Sequence, residues 1–131
     1  MSIQSAAQKQ LLGKRGEKCV ARYLEQHGFV VLAQNVHTRW GEIDILVQQN
    51  GRLHVVEVKT RASTRFGEAT AALTRVKFLK IKKSMSDLLQ RSAGFSGPWQ
   101  IDFAVVELAD STASEHARVT VFWNVGFDDL A

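Results

Sequence analysis

The dipeptide Asn50-Gly51 constrains this chain more than any other feature. It sits between two strongly apolar runs, Glu42–Gln48 and Leu53–Thr60. Asn-Gly supplies the left-handed residues of a type I′ turn, so the runs predict a tight β-hairpin. A two-residue turn also fixes the register. Gln49 then faces Arg52, Asp44 faces Glu57 and Glu42 faces Lys59. Side chains alternate along a strand, which gathers Glu42, Asp44, Glu57 and Lys59 into one patch. One extra residue in the turn would send the acids to opposite faces.

The rest of the pattern surrounds this hairpin. A helix is predicted over Ala7–His27, with Leu12, Gly16, Cys19, Val20, Tyr23, Leu24 and His27 on its apolar face. Gly28 ends it. Residues 1–6 are expected to fray. Phe29–Ala33 reads as a buried strand. A polar loop, 61–67, leads from the hairpin to a second helix over Glu68–Arg91, whose core stripe is Phe78, Ile81, Met85 and Leu88/Leu89. The loop 93–99 holds the single proline. Two further strands are predicted over Gln100–Leu108 and Arg118–Val125. The order is α-β-β-β-α-β-β. The central strands are apolar on both faces and need cover on both sides, which two helices can supply. No repeat or linker divides the chain, so residues 1–131 are read as a single domain.

Composition narrows the class. Of 131 residues, 45% are hydrophobic and 23% charged, the balance of a soluble globular protein. No apolar run approaches a membrane span, and the N-terminus has no apolar signal-peptide core. Cys19 is the only cysteine, so an internal disulfide is excluded and a reducing, cytoplasmic setting is expected. The net charge of +4 permits a polyanionic partner without demanding one.

Apolar strands tolerate charges only when these are paired or used. Two carboxylates opposed at roughly 5 Å repel each other unless a positive charge sits between them. Lys59 can supply part of that charge. A hard divalent cation supplies more, since Mg²⁺ prefers carboxylate oxygens and retains waters. A cation on Asp44 and Glu57 would activate water and polarise a phosphodiester, with Lys59 orienting the water or stabilising phosphate charge. The competing reading is a plain salt-bridge patch in which Glu42 pairs with Lys59.

Asp44, followed on the next strand by Glu57-x-Lys59, resembles the signature of the PD-(D/E)XK nuclease superfamily, which includes restriction enzymes and archaeal Holliday junction resolvases. A second resemblance covers nearly the whole chain. Gly16-Glu17, Ala21, Tyr23-Leu24, Gly28, Asn35, Gly41-Glu42-Ile43-Asp44, Val56 to Arg61, Gly67, Lys77 and Asp102 together are similar to the bacterial YraN family. Trp40 departs from that family, which usually has glycine or another polar residue there, and Ile43 replaces the proline of the superfamily signature. These resemblances imply an α/β, restriction-endonuclease-like αβββαβ core, with a mixed central sheet flanked by helices. They also imply a Mg²⁺- or Mn²⁺-dependent endonuclease whose catalytic residues are Asp44, Glu57 and Lys59. Glu17 would join Asp44 and Glu57 at the metal, the alternative being a surface glutamate. Glu42 would support the site.

Lys77 matches a lysine usual in the family and can reach a phosphate; it can equally snorkel from a core stripe. Arg61 and Arg65 follow the catalytic strand and suit phosphate contacts, although basic residues around a helix are by default a solvated face. Trp40 can stack on an unpaired base or simply pack. Trp99 and Trp123 are assigned to the core or an interface, and Asp102 to partnering a basic residue. His27, His37, His54 and His116 show no zinc-like spacing with Cys19. The expected partners are DNA, branched DNA by analogy with resolvases, and a helicase or repair protein. A homodimer would suit paired-strand cutting, with Phe122, Trp123 and Phe127 available for it. The alternatives are a non-catalytic nucleic-acid-binding module on a nuclease fold and a protein-interaction domain.

Overall fold

The computed structural model describes residues 6–61, 73–91, 96–108 and 117–131. Its elements are α1 (Ala6–Gln26), β1 (Val30–Thr38), β2 (Gly41–Gln49), β3 (Arg52–Arg61), α2 (Arg75–Arg91), β4 (Trp99–Leu108) and β5 (Ala117–Phe122), followed by a 3-10 turn at Phe127–Asp129. The five strands form one sheet in the order β1-β2-β3-β4-β5. Only β3 and β4 run parallel; the other neighbours are antiparallel. A parallel pair needs a crossover, and α2 lies within it. This mixed sheet flanked by helices is consistent with a restriction-endonuclease-like core. Among the described residues, no helix is long and apolar enough to cross a membrane.

Each helix covers one face. Val20, Ala21 and Leu24 of α1 pack with Ile45, Val47, Val56, Ala104 and Val106. Phe78, Ile81 and Met85 of α2 pack with Leu46, Leu53, Val55, Ile101, Phe103 and Val105. The strand residues of the two groups alternate, as a sheet buried on both sides requires. The exception is Ile43, which joins the α2 cluster although Ile45 and Val47, of the same parity, join the α1 cluster. The alternation of β2 therefore changes hand across Asp44.

The hairpin forms as its turn dictates. Asn50 and Gly51 have φ of 54° and 76°, and Gln49 pairs with Arg52. The ladder runs from there to Ile45↔Val56 and goes no further, so neither the expected Asp44–Glu57 nor the expected Glu42–Lys59 strand pair forms, although the Asp44 and Glu57 side chains still meet. Glu42 pairs with His37 of β1 instead.

Several boundaries differ from expectation for local reasons. Ala6 already belongs to α1, while residues 1–5 lie outside the described set. β1 extends to Thr38, beyond the expected Ala33, because its polar half pairs with β2 at the sheet edge. α2 begins at Arg75; the Thr74 hydroxyl accepts the Lys77 N–H at 3.1 Å and caps it. Leu73 and Thr74 are thus outside the helix, and the earlier part of the expected helix lies outside the described residues. β5 stops at Phe122, short of Val125, where Asn124 turns the chain with φ 52°.

Gly16 sets the height of α1 above the sheet. A Cβ there would overlap the Thr60 side chain, so only glycine permits this approach to β3. Gly13, one turn earlier, faces open space. Replacing Gly16 by alanine should cost about 1–3 kcal/mol through overpacking. Gly13→Ala should be neutral or stabilising by up to about 1 kcal/mol through helix propensity. Urea unfolding of both variants checks this, and equal effects would contradict the close approach.

Candidate active site

The site lies where β2 leaves both of its neighbours. The β1–β2 ladder pairs Gln34 with Ile45 and Val36 with Ile43, skipping Asn35 and Asp44. The β2–β3 ladder has already ended at Ile45. Asp44 fills the gap with its side chain: Oδ2 accepts the Val58 N–H at 2.8 Å. A side chain thereby satisfies a strand donor that has lost its sheet partner. Asn35, opposite, adopts φ 52°, a left-handed conformation that asparagine tolerates well.

Four carboxyl groups converge at this opening. Glu17 arrives on α1, Glu42 and Asp44 on β2, and Glu57 on β3. Oxygens of Glu17, Glu42 and Asp44 all lie within 4.8 Å of one another. The Asn35 amide bridges two of them, donating to Glu17 Oε1 at 2.8 Å and to Glu42 Oε1 at 3.2 Å. His37 Nε2 is 3.5 Å from the other Glu42 oxygen. Glu57 stands beside Asp44 but outside this trio. It is buried, and its carboxylate is ion-paired with Lys77 of α2. An open cleft of about 350 Å³ leads to the trio, lined by Gln10, Gly13, Lys14, Glu17, Asn35, His37 and Glu42.

The electrostatics follow from this crowding. Burial first, and then the neighbouring Glu57 charge, push the Asp44 carboxyl up to about 7; the Val58 hydrogen bond and Lys77 pull the other way. Burial also raises Glu17, helped by Asp44 and Glu42 and opposed by the Asn35 hydrogen bond and Lys14. Burial works against the charge of Lys77, yet its bond to Glu57, reinforced by Asp44 and Glu42, leaves its pKa raised. Three carboxyl groups with oxygens within 4.8 Å of one another match the oxygen-donor chemistry of Mg²⁺ or Mn²⁺.

The residue types and spacing also place the chain among known proteins. The family model described as "Uncharacterised protein family UPF0102" matches residues 16–108. A UPF0102 protein of Syntrophomonas wolfei is 39% identical over 111 residues, covering 85% of this chain and 96% of its own. Another, from Herpetosiphon aurantiacus, is 34% identical over 104 residues, covering 79% of this chain and 84% of its own. The chain belongs to the uncharacterised protein family UPF0102. This is the YraN-like family that its motifs resemble. Among solved structures, the SPO1766 protein of unknown function from Silicibacter pomeroyi is similar at 20% identity and a TM-score of 0.39, covering 100% of this chain and 78% of its own. A protein of unknown function, AF1548, is similar at 22% identity and a TM-score of 0.41, covering 79% and 51%.

Within this UPF0102 fold, Asp44, Glu57, Glu17 and Glu42 come together. Lys59 is exposed on β3, two residues beyond Glu57. The cation on Glu57 is Lys77, placed there by α2. Arg61 ends β3 with a buried Nη2 that has no hydrogen-bond partner among the described residues. Arg65 lies outside the described residues. Trp40 is exposed at the β1–β2 turn. Asp102 is fully buried; it meets His54 Nδ1 at 2.7 Å and accepts hydrogen bonds from the Gln100 side chain and the Asn124 N–H. Trp99 packs against the α2-side core, and Trp123 stacks on Phe29 at 5.6 Å. Asn35 is the participant that sequence reasoning did not assign. Its signal was an asparagine within an otherwise strand-like run.

A raised carboxyl pKa carries a definite pH signature. Between pH 4 and about 7 the folded chain holds a proton on Asp44 that the unfolded chain has released, so this group's stabilisation is lost as pH rises through that window. Asp44→Asn keeps an acceptor for Val58 and removes the titration. In chelator, the variant should exceed wild type in stability by about 1–3 kcal/mol at pH 8, with the gap closing below pH 4. Denaturant melts across pH check the slope, and a gap independent of pH would contradict the assignment.

Proposed function

We propose that this protein is a divalent-cation-dependent endonuclease that hydrolyses DNA phosphodiester bonds. The observation that carries the reading is the convergence of Glu17, Glu42 and Asp44 within 4.8 Å, beside buried Glu57. Acids at the centre of a sheet cost stability, and a cation site offsets that cost. Glu17, Glu42 and Asp44 would hold the cation, with Glu57 flanking them. When bound, it would polarise the scissile phosphate and lower the pKa of a water molecule.

The protein's own side chains supply the remainder. Asn35 holds Glu17 and Glu42 with their oxygens converging. The Val58 N–H orients Asp44. Lys59, exposed at the end of β3, is free of the core to meet a non-bridging phosphate oxygen or orient the attacking water. Lys77 balances Glu57 without substrate and can turn to a phosphate when one arrives. The resemblance to PD-(D/E)XK nucleases and archaeal resolvases supports DNA as the substrate and suggests branched or repair intermediates.

The Lys77–Glu57 pair favours a second reading. An ammonium already neutralises one acid, so the same surface suits a non-catalytic nucleic-acid-binding module that assists a helicase or repair partner. Incubation with flap, fork, four-way junction, duplex and single-stranded DNA separates the two. Wild type should cleave at least one of these with Mg²⁺ or Mn²⁺ and none with EDTA. Asp44→Ala and Lys59→Ala should each lower the rate roughly 100-fold or more. Cleavage that survives both substitutions would remove this site from consideration, and binding without cleavage of any substrate would select the second reading.

A further inference from the structure

The β1–β2 turn presents Trp40 to solvent, 38% exposed, with no buried cluster around it. A tryptophan left outside the core costs solvation, so its surroundings matter. The turn is fixed. The Thr38 hydroxyl accepts the Trp40 N–H at 3.1 Å, donates to the Gly41 carbonyl at 2.8 Å, and meets the Ser84 hydroxyl of α2 at 2.8 Å. Gly41, with φ 137°, gives the chain its exit into β2. Two cations lie over the indole ring: Lys83 Nζ at 4.6 Å and the Arg39 guanidinium at 5.1 Å from its centre. Nearby Asp87 is neutralised by Arg91 at 3.0 Å.

We propose that the Trp40 turn is a stacking platform for an unpaired base of the strand that crosses the acidic site, which makes the substrate class DNA with unpaired nucleotides next to the scissile phosphate. The inference rests on the nucleic-acid reading above and deepens it. The spacing supports it. Glu42 and Asp44 lie on β2, which begins at Gly41, directly after Trp40. On α2, Lys77 stands over Glu57 while Ser84 is bonded to the turn. Those positions are about 10 Å apart along a helix rising 1.5 Å per residue, or roughly three stacked nucleotide steps of 3.4 Å. One strand can therefore reach both places. An aromatic ring with cations at hand is a usual means of holding single strands; an incoming base would take the ring face as Lys83 and Arg39, both exposed long side chains, move onto flanking phosphates. A base inside a continuous duplex has both faces covered by its neighbours and gains nothing from Trp40.

Binding tests this without requiring cleavage. Fluorescence anisotropy in EDTA would follow full-length wild type, Trp40→Ala and Trp40→Phe with a labelled single-stranded 20-mer and with its blunt duplex. Trp40→Ala should weaken single-strand binding roughly 5- to 100-fold, the loss of one stacked base, with duplex binding changed less than about twofold. Trp40→Phe should recover most of the loss, which separates stacking from damage to the turn. Single-strand binding by Trp40→Ala equal to wild type, or equal losses on both substrates, would overturn the platform and leave the proposed function standing. A wild-type protein that binds neither substrate in EDTA would overturn the platform, while cleavage with Mg²⁺ or Mn²⁺ tests the proposed function separately.

Discussion

The structure turns on one hydrogen bond, from the Val58 amide to the Asp44 carboxylate. Without it, β3 would carry an unsatisfied donor where the β2–β3 ladder ends. With it, β2 can part from β3 while still being tied to it. The same separation lets Glu57 stay buried beside Asp44 and lets the side-chain alternation of β2 reverse. A regular ladder through this point would have left an ordinary sheet with badly placed charges. The break makes an opening whose walls are carboxyl groups.

The opening is held from both sides by residues with little freedom to change. Gly16 brings α1 against Thr60, so Glu17, the next residue, reaches the sheet. Asn35 is at once the left-handed residue opposite Asp44 and the donor that bridges Glu17 and Glu42. Both devices arise from backbone geometry and end in side-chain placement. They bring acids together at an energetic cost, visible in the raised Asp44 and Glu17 pKa values. Structures that sustain such a cost commonly use it.

Much of this was legible in the sequence because the strongest signals were local. Asn50-Gly51 fixed the hairpin and its register from Gln49 to Ile45. Helical periodicity found Gly16, Val20 and Leu24 of α1 and the Phe78, Ile81 and Met85 stripe of α2, but it omits buried Ala21 and includes His27, which is exposed past the end of the helix. The edge strand β1 was read too short because its polar half is only partly covered and lacks the alternation of a buried strand. A uniform ladder would set Asp44 opposite Glu57 and Glu42 opposite Lys59, and no local pattern in the sequence marks where the ladder stops. Lys77 was found as a residue but not as the partner of Glu57, since that contact depends on how the crossover sets α2 on the sheet.

Charge balance links the acidic opening to any anionic partner. Glu17, Glu42, Asp44 and Glu57 meet there, and the Lys77 ammonium is paired with only one of them. A phosphate entering that opening without a cation would face net repulsion across a few ångströms, in a partly buried setting where screening is weak. Two charges of a divalent ion reverse the sign. In the proposed reading, cation and nucleic acid therefore favour each other's binding at the opening, and linkage makes the effect equal in both directions. The basic residues farther out, Lys83 and Arg39 beside Trp40, are free of this constraint and can hold a strand before the cation arrives. On the proposed reading, the surface that attracts a polyanion is thus separate from the opening that acts on it, with β2 and α2 joining the two.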